Sequence, residues 1–128
     1  MRGDGPAIGF YGTGLIAMLH GFQLEQSLLP FRMGPVYDTD AARSGRFAAD
    51  FGGTAVADPS DVTSADAVFV CAWTSEHREL VARCVRADTA VFCEKPLGVD
   101  LADARAVAGR VEGGARRNVV GLGGRSAP

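Results

Sequence analysis

Residues 65–72 read ADAVFVCA and are apolar throughout after Asp66. A strand wetted on one face alternates polar and apolar side chains; an unbroken apolar strand must be covered on both. Strands of that kind belong to parallel sheets enclosed by helices. The flanking chain has the matching rhythm. Segments 7–11, 33–37, 54–57, 89–93 and 118–122 read as further short strands. Segments 14 to about 28, 41–51, 75–86 and 101–112 read as helices. Strands alternating with helices imply right-handed βαβ units. Six strands at this spacing predict an α/β fold, a Rossmann-type doubly wound parallel sheet of order 3-2-1-4-5-6, in a single domain over residues 1–128.

Local signals place the helices. Asp40 caps segment 41–51, Thr74 or Ser75 caps 75–86, and Asp100 caps 101–112. Gly52 and Gly53 stop the second helix. The inner faces are read as Ala42, Phe47, Ala48 and Phe51; then Leu80, Val81, Cys84 and Val85; then Leu101, Ala104, Val107, Ala108 and Val111.

Charge and cysteine usage exclude several classes. A net charge of −2 carries no general attraction for nucleic acid or an anionic membrane, so neither is expected as a partner. Arg110, Arg116 and Arg117 read as a solvated helix end. The 3 cysteines, Cys71, Cys84 and Cys93, form no CxxC and are odd in number. Buried reduced thiols and a cytoplasmic setting are expected. The apolar stretch 6–19 is broken by Gly9, Gly12 and Gly14, so it reads as strand, turn and helix start rather than as a signal peptide.

Three groups of residues carry chemistry. The first is Gly12-Thr13-Gly14-Leu15-Ile16-Ala17, a G-x-G-x-x-A turn directly after a strand. Gly12 permits the tight turn, Gly14 lets a pyrophosphate approach the backbone, and Ala17 lets the helix pack on the sheet. Asp38 ends the second strand about twenty residues further on, where an acid reaches the ribose hydroxyls of a dinucleotide. Such a carboxylate favours NAD over NADP, although Arg43 leaves room for the phosphorylated form. Asp38 also fits a turn or capping role.

The second group is CAWTSEHREL, residues 71–80. Trp73 either walls a site beside a cofactor or packs at the sheet rim, and Thr74 stands at the same turn. His77 lies in the first helical turn with no metal-spaced partner; it is either a hydrogen-bonded structural residue or part of the site. The third group is Glu94-Lys95-Pro96, at the end of the fifth strand. Read alone, it is a surface turn or a site. A partly desolvated Lys95 can move a proton, Glu94 can hold that lysine or a ribose hydroxyl, and Pro96 stiffens the backbone.

Four stretches, IGFYGTGLIAMLHG, VYDTDAARSGRFAADFGG, ADAVFVCAWTSEHRELVARC and VFCEKPLGVDLADAR, resemble the glucose–fructose oxidoreductase / inositol dehydrogenase / rhizopine catabolism (Gfo/Idh/MocA) family. The resemblance spans roughly residues 7–125. It implies an NAD(P)-dependent oxidoreductase of sugars, cyclitols or related polyols. Lys95 would contact the nicotinamide ribose and the reacting hydroxyl, Glu94 would belong to the cofactor site, and Arg125 would stand for a family arginine. Trp73 departs from the proline common at that turn. Family members continue into an α+β substrate domain that supplies an aspartate and a histidine to the chemistry; that domain is absent from this sequence.

The expectation is therefore an NAD-binding domain, with NADP admitted, that turns over little substrate unless a second domain is supplied. A non-catalytic NAD(P)-binding module or partner subunit is the alternative; a methyltransferase has no use for E-K-P at the fifth strand. Self-association through an uncovered sheet rim is also expected.

Overall fold

The structure is a computed structural model that describes residues 5–94, 100–112 and 119–120. Strands β1 (Ala7–Tyr11), β2 (Arg32–Tyr37), β3 (Thr54–Ala55), β4 (Ala67–Val70), β5 (Ala90–Cys93) and β6 (Val119–Val120) form one sheet. Helices α1 (Leu15–Gln26), α2 (Ala41–Phe51), α3 (His77–Arg86) and α4 (Leu101–Glu112) connect them. All five pairings are parallel, and the order is β3-β2-β1-β4-β5-β6, as expected.

Strand β1 buries both faces, and the sheet divides two cores. Phe10 and Val36 join Ile8, Ala17, Phe31 and Phe47 beneath α1 and α2. Tyr11, Val68, Val70, Val91 and Cys93 face the other way, against Val62 and the α3 residues Leu80, Val81 and Cys84. In-register pairing places Phe10 beside Phe69 and Phe69 beside Phe92. Their ring centroids lie 5.0 and 4.8 Å apart, an aromatic row across three strands.

The ends of α2 follow the sequence signals. The Ala42 N–H donates to Asp40 Oδ1 at 3.0 Å, and Gly52 ends the helix at φ 89°, a left-handed conformation that favours glycine.

Other details differ. Thr74 and Ser75 do not cap α3. Residues Thr74–Glu76 wind a 3-10 turn that runs into the helix, and Glu76 stands at the junction. A 3-10 segment, Pro59–Ser64, fills the β3–β4 connection and was not foreseen. Ala42 is exposed because the inner stripe of α2 runs through Ser44 and Phe47. Leu101 is exposed too, while His77 and Ala82 join Leu80, Val81 and Cys84 in the buried face of α3. Val107 and Val111, expected on the α4 stripe, lie outside the described side chains, as Asn118 and Leu122 of the expected sixth strand lie outside the described residues.

Helix α1 is apolar on nearly every side. Ala17 and Gly21 are buried, yet Leu15, Ile16, Met18, Leu19 and Phe22 face solvent. Among the described residues, no helix is long and apolar enough to cross a membrane.

The three cysteines are free thiols. Burial raises the Cys71 thiol, and the negative charge of Glu94 adds to this. Burial likewise pushes Cys84 and Cys93 up to about 12 from an ordinary 9.0. A folded-state value raised in this way contributes stability that is complete below the unfolded value and is lost as pH climbs toward the folded one. The urea midpoint of the chain should therefore fall steadily from about pH 9 upward, and fall less steeply in Cys93→Ala. A midpoint that is flat across that window in both proteins would refute thiol burial as described.

Candidate functional site

The carboxyl ends of β1, β2 and β4 meet at one cleft of about 370 Å³. Gly12, Gly14, Leu15 and Ile16 line it from the turn into α1. Asp38, Thr39 and Arg43 line it from the end of β2 and the start of α2, and Cys71, Ala72, Trp73 and Glu76 from the end of β4.

Backbone contact makes the glycine turn. Gly12 has φ 86° and donates its N–H to the Tyr37 carbonyl at 2.8 Å. A Cβ on Gly12 would sit 2.6 Å from the backbone nitrogen of Ala72 and 2.7 Å from its Cα. Only glycine fits where β1 passes so close to the end of β4. Gly14 is the opposite case: a Cβ there would meet nothing within 4 Å, so its missing side chain leaves open space. Gly14 also precedes the first turn of α1, whose cap has no side-chain hydrogen bond. The first amides of that helix are donors without intrahelical partners, at the positive end of its dipole.

Asp38 is tied to the turn. Its Oδ2 accepts from the Thr13 N–H at 2.8 Å and from the Thr13 hydroxyl at 3.0 Å. Its Oδ1 accepts from the Asp40 N–H at 2.8 Å. The turn role and the cleft position are thus both realised. Thr13 is 2% exposed and stands behind the cleft rather than in it. Arg43 is exposed and borders both this cleft and a smaller depression shared with Arg46 and Asp50.

The remaining candidates divide. Trp73 is 74% exposed and walls the cleft, so it is not packed at the sheet rim. Thr74 begins the 3-10 turn and does not line the cleft. His77 is buried, and its Nε2 donates to the Ala72 carbonyl at 3.1 Å, so its ring supports the β4 end from below. Its Nδ1 is buried without a hydrogen-bond partner.

Glu94 lies just past β5 and does not line the cleft. Its Oε2 meets His20 Nε2 at 2.5 Å. Lys95 and Pro96 lie outside the described residues, as does Arg125. Among the described residues, no group of three or more His, Cys, Asp or Glu is placed to hold a metal ion.

His20 was not foreseen. Its ring tilts against Phe69 at 5.0 Å and meets Phe92 edge-on at 5.3 Å while it reaches Glu94. The signal was present in the spacing of Ala17, His20, Gly21 and Leu24, which is the inner stripe of α1. A histidine on a stripe that faces the sheet needs a polar partner there.

Known proteins share this fold. The Gfo/Idh/MocA description "Oxidoreductase family, NAD-binding Rossmann fold" fits residues 7–122. The inositol 2-dehydrogenase of Rubrobacter xylanophilus is 34% identical over 129 residues, covering 95% of this chain and 37% of that protein. Inositol 2-dehydrogenase 3 of Saccharopolyspora erythraea is 34% identical over 99 residues, covering 75% of this chain and 29% of its own. The chain thus spans about a third of the length of the curated relatives it matches. In fold it is similar to the crystal structure of a Lactobacillus casei myo-inositol dehydrogenase in complex with NAD(H) and myo-inositol, with a TM-score of 0.81, 24% identity, and coverage of 91% of this chain and 36% of that one. A chain whose residues 7–122 fit the family description, on a sheet of this order, belongs to the Gfo/Idh/MocA oxidoreductase family and carries its NAD-binding Rossmann fold.

Proposed function

We propose that the chain binds NAD(H) in the cleft at the ends of β1, β2 and β4, as the nucleotide-binding part of an oxidoreductase acting on the CH–OH groups of cyclitols or related polyols. The observation that carries the reading is the single cleft that gathers Gly12, Gly14, Asp38, Arg43 and Trp73. The residues fit the cofactor. The open space at Gly14 accepts a phosphate against the backbone, and the first amides of α1 point donors at it. Asp38 keeps acceptor capacity on its Oδ1 for a ribose hydroxyl, and Leu15, Ile16 and Trp73 offer apolar walls to the flat rings. Bound there, the oxidised nicotinamide supplies a hydride acceptor.

Lys95 is assigned the proton. Oxidising a carbinol removes a hydride from carbon and a proton from oxygen, and a lysine next to a buried strand end is suited to take the second. Glu94, the residue before Lys95, is braced by His20. The dehydrogenase names of the relatives, inositol 2-dehydrogenases, support a cyclitol as substrate.

Calorimetric titration of the chain with NAD⁺ should give saturable binding at a single site; no heat and no saturation would overturn the cofactor reading. Two glycine variants should separate fold from site. Gly14→Val projects into open space, so its melting temperature should stay within a few degrees of the parent while its NAD⁺ affinity falls at least about tenfold. Gly12→Ala collides with the Ala72 backbone at a left-handed φ and should cost about 2 kcal/mol or more of stability. Equal effects of the two variants on melting would contradict the geometry.

A further inference from the structure

A carboxylate at the end of β2 rejects a 2′-phosphate only while it is held in place. An unbraced aspartate can turn away about two bonds, and Arg43 lines the same cleft with a cation that a phosphate can use. Thr13 removes that freedom. Its N–H and its hydroxyl both donate to Asp38 Oδ2, at 2.8 and 3.0 Å, while the Asp40 N–H holds Oδ1 at 2.8 Å. Both oxygens are engaged, so the carboxylate plane is fixed.

We propose that Thr13 is a specificity-determining positioning residue, which selects NAD over NADP by locking Asp38 at the cleft wall; this rests on the cofactor reading above. Thr13 is 2% exposed and lines the smaller depression beside the cleft rather than the cleft itself, so its hold on the cleft runs through Asp38. The locked carboxylate accepts three hydrogen bonds and keeps room for a ribose hydroxyl. A 2′-phosphate meets the same group as a fixed like charge that cannot retreat. The hydroxyl of Thr13 is the one side-chain donor in this clamp, and the other two donors are backbone amides that survive any substitution at residue 13 except proline. The hydroxyl is thus the part of the clamp that residue 13 can vary: its loss leaves one backbone bond on each Asp38 oxygen and weakens the hold on Oδ2, and Arg43 is the group that would gain.

The test is the ratio of NADP⁺ to NAD⁺ dissociation constants, measured calorimetrically on the 128-residue chain. Thr13→Val, equal in shape but lacking the hydroxyl, should lower the ratio about tenfold. Thr13→Ser restores the donor and should keep the ratio within about threefold of the parent. Adding Arg43→Ala to Thr13→Val should abolish the gained NADP⁺ affinity. Thermal melting of each variant reports folding. An unchanged ratio in a folded Thr13→Val that binds NAD⁺ overturns the proposal and leaves the cofactor reading intact. If neither Thr13→Val nor Thr13→Ala folds, Thr13 is structural and the proposal also falls. A parent chain that binds neither dinucleotide refutes the cofactor reading itself.

Discussion

One close approach of backbone to backbone sets the geometry of everything at the carboxyl edge of the sheet. Gly12 leaves β1 against the first atoms beyond β4, with no room for a side chain between them. The Gly12 N–H holds the end of β2 through the Tyr37 carbonyl, and the Cys71 N–H extends the β1–β4 pairing through the Tyr11 carbonyl at 2.7 Å. Three strands therefore finish at the same level. The chain leaves β1 in a left-handed turn and re-enters a helix at once, which aims the first amides of α1 across the edge. A cleft at this place is a consequence of that crossing, and the side chains around it refine what the backbone has already defined.

Two carboxylates of the edge, Asp38 and Glu94, are held by groups from the Gly12–α1 segment. Asp38 is held by Thr13 and Glu94 by His20. Neither is a free surface charge, because hydrogen bonds to a charged group in a partly buried setting are stronger than those in water. His20 is itself steadied by Phe69 and Phe92, members of the aromatic row that runs from β1 to β5. Packing in the sheet thus reaches the site through one ring.

Much of this was legible in the sequence, and the rest was hidden for identifiable reasons. Strands β1 and β4 stand out because both of their faces are buried, and α2 because Asp40 and Gly52 mark its ends. Strand β2 reads poorly. It carries one more residue than β1 between Ile8–Met33 and Phe10–Val36, so Met33 and Val36 share a core at a spacing of three instead of two. The 3-10 segment after β3 offers a single buried side chain, Val62, which is too little for periodicity to register; the Asp58-Pro59 start was its real signature. Gly12, Gly14, Leu15, Ile16, Asp38 and Trp73 line one cleft, since each follows a strand and strand ends share an edge. His20 was missed because its role depends on a partner 74 residues away, a distance at which spacing rules are silent. His77 points to a backbone carbonyl for a similar reason: a lone histidine shows no direction until its helix is placed.

The two clamps on the Gly12–α1 segment bear on mechanics as well as chemistry. Thr13, just before α1, fastens the segment to the end of β2, and His20, two turns later, fastens it to the end of β5, with β1 and β4 lying between those strands. The segment is therefore tied at two points, to the residue after β2 and to the residue after β5. The twist of the sheet at this edge cannot open or close without stretching one of the two ties, so the spacing between the Asp38 and Glu94 carboxylates is governed by the rigidity of a helix rather than by the compliance of loops.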